Sequence, residues 1–180
     1  MSYPDLIART NEEQEAVFTP EPNPLLAVDP GPTQSAIVLY DQIAKRSLYA
    51  EKLDNLEVLA FLGLAVPAPL AIEMVASYGM AVGAEVFETC VWIGRFAMHR
   101  ERAVPWSETR FVYRREVKLH LCGDSRAKDA NIRQAIIDRY GGKTAAIGLK
   151  KTPGPLYGLT GDCWSALGVA ITASETEVPA

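Results

Sequence analysis

The sequence predicts a mixed α/β layer fold. Three short apolar runs, at 25–29, 35–40 and 47–50, are separated by turn residues and read as strands. A fourth run, 69–73, ends in an acid as the first does. Beyond it, segments with helical spacing alternate with one further short run at 109–113. Strands first, then strand and helix in alternation, is the pattern of a sheet with helices packed on it.

The elements follow in order. Residues 1–22 are polar, acidic and proline-punctuated, and are expected to be an extension outside the core domain of 23–173. Leu25 to Asp29 is the first strand; Pro30-Gly31-Pro32 forces a turn. Ser35–Tyr40 and Ser47–Ala50 complete an antiparallel meander. Asp54 is placed to cap a helix over 55–64, with Leu56, Leu59, Ala60 and Leu64 inward. Pro69–Glu73 reads as a buried strand with a carboxylate at its tip. A long helix is expected over 80–100, with Val82, Val86, Cys90, Ile93 and Ala97 at helical spacing and Phe87 and Phe96 beside them. Gly83 and Gly94 on it allow another backbone to approach closely, in a dimer or in the core. Thr109–Tyr113 is a strand, Glu116–Leu121 a short helix ended by Gly123, and Asp129–Tyr140 an amphipathic helix stopped by Gly141-Gly142. Residues 153–155 read as a loop, Gly161–Ala173 as a final helix and 174–180 as an acidic tail.

Composition excludes several classes. The chain has 180 residues, 48% hydrophobic and 22% charged, as in one globular domain. No apolar run approaches the roughly 18 residues that span a bilayer. The N-terminus lacks the basic and apolar regions of a signal peptide, so a cytoplasmic location is expected. Cys90, Cys122 and Cys163 form no C-x-x-C pair and read as reduced, mostly buried thiols; His99 and His120 are too far apart for a helical metal pair. Gly142-Lys143-Thr144 mimics the end of a phosphate-binding loop, but Ile137 stands where that motif needs glycine. The net charge is −4, yet residues 95–151 hold fourteen Lys or Arg against six Asp or Glu, net +8, leaving −12 elsewhere. Such polarity suits a basic face for phosphates, and equally suits solvated helix faces.

Three carboxylates stand in unusual places. Asp29 and Glu73 end apolar strands, and Asp162 starts the last helix. Buried acids are costly unless paired or metal-bound. Were the two strands neighbours, Asp29 and Glu73 would need a cation between them, and oxygen-only ligands favour Mg²⁺ or Mn²⁺. Two such ions about 4 Å apart activate water and stabilise the leaving oxygen in phosphodiester cleavage. Read singly, each acid is equally a turn or capping residue, Asp162 above all.

Four segments, in order over about 24–173, resemble the RuvC-type Holliday junction resolvases of the RNase H-like superfamily. They are Leu26-Ala27-Val28-Asp29-Pro30-Gly31, Ala71-Ile72-Glu73, Glu116-Val117-Lys118 with Cys122 to Lys128, and Asp162 to Thr172. The resemblance implies a mixed five-stranded sheet flanked by helices. It also implies a homodimer that nicks four-way DNA junctions symmetrically with Mg²⁺ or Mn²⁺. Carried over, Asp29, Glu73 and Asp162 are metal ligands, and Lys118 stabilises the developing phosphate charge. Arg114, Arg115, Arg126 and Lys128 track the DNA backbone, and Tyr78 wedges against bases; a core tyrosine is the plainer reading. A short stand-alone chain with an acidic extension suits a phage-type member.

Two departures bear on the chemistry. Ser165 stands where the family's closing helix has a second acid, three residues from Asp162 and on the same helix face. It would hold a metal-bound water rather than the metal. Lys128 precedes Asp129, where the family has the acid first, leaving Asp124 or Asp129 as a fourth ligand. Two rivals follow: a flap or fork nuclease of the same fold, and a DNA-junction-binding protein whose catalysis has decayed.

Overall fold

The computed structural model describes residues 23–77, 79 and 81–176. The expected extension over 1–22, Tyr78 and residues 177–180 lie outside the described residues.

Strands β1 (Pro24–Asp29), β2 (Gln34–Asp41) and β3 (Arg46–Asp54) form the expected antiparallel meander. Strand β4 (Leu70–Met74) pairs parallel with β1, and β5 (Thr109–Tyr113) parallel with β4. The result is a five-stranded mixed sheet in the order β3-β2-β1-β4-β5, flanked by helices. Both faces of its centre are covered, which is why β1, β2 and β4 read as continuous apolar runs. On β1, Leu26 and Val28 face α1 (Asn55–Leu62) and α2 (Ala84–Ala103), while Leu25 and Ala27 face α3 (Arg114–Cys122), α4 (Asp129–Arg139) and α6 (Cys163–Glu175).

The structure corrects several readings. Helix α1 buries Asn55, Val58 and Leu62, not the expected face, and Leu56 is 71% exposed. A polar contact sets the phase: buried Ser35 Oγ donates to Asn55 Oδ1 at 2.6 Å, and Asn55 Nδ2 donates to the Gly31 carbonyl at 3.0 Å. Helix α2 turns Thr89, Ile93, Phe96, Ala97 and Arg100 inward, leaving Phe87 and Cys90 exposed; Val82, expected within it, precedes the helix and is exposed too. A Cβ on Gly83 or Gly94 would meet nothing within 4 Å, so neither glycine serves core packing. Helix α6 runs on to Glu175, so Ser174 and Glu175, read as tail, are helical. Of the 153–155 loop, Pro153 is strand: after the short α5 (Lys143–Ala146), β6 (Gly148–Leu149) and β7 (Thr152–Pro153) pair as a small hairpin. No described helix is long and apolar enough to cross a membrane.

Arg100 is the largest fully buried side chain. Its Nη1 donates to the carbonyls of Leu62 and Leu64, both at 3.0 Å, and its Nη2 to those of Val66 at 2.6 Å and Ala68 at 2.7 Å. One guanidinium thus satisfies four carbonyls of the segment leading into β4. It fixes where Glu73 emerges.

Candidate metal and nucleic-acid site

The parallel register pairs Val28 with Ile72, which sets Asp29 beside Glu73 at the carboxyl ends of neighbouring strands. The turn after Asp29 is held by Gly31 N–H donating to Ser35 Oγ at 3.1 Å. A Cβ at Gly31 would lie 2.4 Å from the Gln34 carbonyl oxygen, so that position requires glycine.

The two carboxyl groups are close enough for each to act on the other's ionisation. Burial pushes Glu73 up to about 8, helped by the negative charge of Asp29. Burial also raises Asp29 to about 6, against the pull of Arg114 and with the push of Asp162. Glu73 is raised more than Asp29, the direction expected of desolvated acids lacking a full counter-charge.

Arg114, at the start of α3, turns inward. Its Nη1 donates to Glu73 Oε2 at 3.1 Å, and its Nη2 donates to Asp129 Oδ1 and, at 3.4 Å, to Ser165 Oγ. It is thus engaged with the acids Glu73 and Asp129. Asp124 caps its own loop by accepting from Arg126 N–H at 2.9 Å, so Asp129 is the extra acid brought to the cluster.

Asp162 is the N-cap residue of α6 but makes no capping hydrogen bond through its side chain. Its Oδ2 lies 2.7 Å from Lys52 Nζ on β3. The meander explains the pairing: Asp29 is level with Ala36, and Ala36 with Lys52. Lys52 was missed in the sequence; strand register is the signal that finds it.

Arg115, Lys118 and Ser125, with Arg114, line a basic pocket that adjoins the acidic cleft of Asp29, Glu73 and Thr89 through Arg114 itself. Arg115, Arg126 and Lys128 are exposed. Other basic residues are used structurally. Arg100 is buried, Arg110 donates to the carbonyls of Ala173 and Thr176, and Arg139 joins Glu175 and the His120 carbonyl. The three cysteines are free; Cys90 is exposed, Cys122 partly buried and Cys163 buried.

The fold has close counterparts among solved structures. A Thermus thermophilus RuvC structure superposes with a TM-score of 0.59 at 18% identity, over 83% of this chain and 92% of that one. The fold is RuvC-like. T. thermophilus RuvC in complex with a Holliday junction substrate gives a TM-score of 0.58 at 16% identity, over 83% of this chain and 90% of that one. No family model matches the chain, and no curated protein does.

The donors at the strand ends are carboxylate oxygens, hard ligands that favour Mg²⁺ or Mn²⁺ over zinc. Among the described residues, no three His, Cys, Asp or Glu side chains converge as a ready cation site. Asp29 and Glu73 fit one cation; Asp162 is held by Lys52 and Asp129 by Arg114.

Proposed function

We propose that the chain is a metal-dependent endonuclease that resolves four-way DNA junctions by symmetric phosphodiester cleavage. The observation that carries this reading is the pair of largely buried acids Asp29 and Glu73 at neighbouring strand ends, with a basic pocket against it. Desolvated acids beside cationic side chains are the arrangement phosphoryl chemistry needs: acids to hold a cation, bases to hold the phosphate. The RuvC-like fold and its junction-bound counterpart favour branched DNA as the substrate.

In this reading Asp29 and Glu73 hold a Mg²⁺ or Mn²⁺ ion, with Asp162 joining once it leaves Lys52. The ion supplies water activation and charge neutralisation. Lys118 stabilises the charge that develops on the phosphate, and Ser165 orients water. Arg115, Arg126 and Lys128 hold flanking phosphates, making binding salt-sensitive. Tyr78 remains the proposed wedge at the crossover.

Symmetric cutting requires two copies. Helix α2 exposes Phe87, Val91 and Met98 along one face, with Gly94 open between them. An apolar stripe with a glycine gap suits the same helix of a second copy in a two-fold contact, and we propose the homodimer there.

The deciding experiment is strand cleavage of a synthetic four-way junction beside duplex, flap and fork controls, with Mg²⁺, Mn²⁺ or EDTA. Paired nicks in the junction alone support resolvase activity, and cutting of flaps or forks instead redirects the substrate. Ser165 and the Lys52–Asp162 pair favour one rival, a junction-binding protein without catalysis, which would bind equally with EDTA and cut nothing.

A further inference from the structure

We propose that Arg114 is a built-in cation of the candidate metal centre, so that each chain takes one divalent ion where two are otherwise expected. This deepens the metal-nuclease reading above and rests on it.

Arg114 already supplies positive charge to the groups gathered at the strand ends. Its guanidinium touches groups from three elements: Glu73 at the end of β4, Asp129 at the start of α4 and Ser165 in the first turn of α6. It also acts on the charge of Asp29. A planar fork with five N–H donors can serve several oxygens at once, and it does not lose its proton in a protein. The side chain is 22% exposed, so it is seated among the acids instead of swinging in solvent.

Charge points the same way. Asp29, Glu73, Asp129 and Asp162 are four carboxylates, and Arg114 and Lys52 two cations, all linked at this end of the sheet. Two net negative charges remain when every acid is ionised, which one divalent ion neutralises. A second ion would leave a surplus of positive charge in a half-buried site.

Ser165 completes the case. It is the residue on Asp162's helix face that could have supplied a further carboxylate, and it is neutral. Its hydroxyl accepts from Arg114 instead. A neutral hydroxyl bonded to a guanidinium leaves this spot with one carboxylate fewer to offer a second ion.

The test counts Mn²⁺ per full-length chain by electron paramagnetic resonance of the free ion and by calorimetry, without DNA. Wild type is expected to bind one ion, Ser165→Asp one, and the double variant Arg114→Gln/Ser165→Asp two. Asp29→Asn should bind none. Arg114→Lys/Ser165→Asp keeps the charge and should remain at one, while guarding against a folding defect in the glutamine variant. Circular dichroism checks each fold, and Mn²⁺ should raise the melting temperature of Arg114→Gln/Ser165→Asp more than that of wild type.

Two ions of comparable affinity in wild type overturn the proposal and leave the metal-nuclease reading standing. So does a second ion in Ser165→Asp alone, or one ion in the folded Arg114→Gln/Ser165→Asp variant. No ion in any variant overturns the metal reading and this proposal together.

Discussion

Lys52 Nζ lies 2.7 Å from Asp162 Oδ2, so a lysine two strands from Asp29 neutralises the acid at the head of the last helix. Both side chains are about half exposed, which limits the pair to about 1 kcal/mol or less of stability. Lys52→Met should therefore barely change the melting temperature. It should strengthen Mn²⁺ binding severalfold, because Asp162 then has no competing cation. Unchanged affinity in a calorimetric titration would place Asp162 outside the ion's reach.

The raised Glu73 makes a signed prediction for the metal-free protein. Its carboxyl titrates at about 8 in the fold and near 4.5 when unfolded, so the native state holds the extra proton between those values. Stability is then highest at and below about pH 4.5 as far as this group is concerned, and is lost as pH rises towards 8. The loss is on the order of a few kcal/mol, at 1.36 kcal/mol per pKa unit. The groups facing it, Asp29, Arg114 and Asp129, are included in that direction. Urea unfolding in EDTA from pH 5 to 9 should show the decline, and Glu73→Gln should flatten it. A wild-type profile as flat as the variant's would mean that burial does not raise Glu73.

Asp29 and Lys118 separate chemistry from binding. Asp29→Asn should abolish junction cleavage with binding intact; cutting by this variant would sink the assignment of the site. Lys118→Ala should slow cleavage by about 10²–10³-fold, the scale of losing one transition-state stabiliser, and weaken binding far less. Equal losses in both, with a salt slope lower by about one, would make Lys118 a phosphate clamp.

Arg100 carries a prediction about stability. Arg100→Met removes four donated bonds between Leu62 and Ala68. The carbonyls of Leu64, Val66 and Ala68 keep Val66 N–H, Ala68 N–H and Ser107 Oγ as donors, so the Leu62 carbonyl is the acceptor left unpaired, at a cost of about 1–3 kcal/mol. A loss of about 1–3 kcal/mol is expected from chemical unfolding. A loss under 1 kcal/mol would show that the segment entering β4 holds itself.

The metal-ligand candidates were legible unevenly. Asp29 and Glu73 could be found because an apolar run ending in an acid is a local signal, and a carboxylate at a buried strand tip is costly enough to need a reason. Arg114 could be found only as one of several similar basic residues. Nothing local distinguishes an arginine that turns inward to Glu73 and Asp129 from Arg115 next to it, which is exposed. The same limit hid Arg100, counted with a basic face and found buried.

The sequence by itself determined the order of strands and helices, the buried character of β1, β2 and β4, and the turn that requires Gly31. These follow from hydrophobic period, chain stereochemistry and turn residues, which act over a few positions. Tertiary structure decided which elements are neighbours and which way each helix faces. The parallel pairing of β1 with β4 brought Asp29 to Glu73, the meander register brought Lys52 to Asp162, and the Ser35–Asn55 bond rotated α1 away from its expected face. Those outcomes depend on contacts between residues far apart in the chain, where the strength of a charge or hydrogen bond is set by burial.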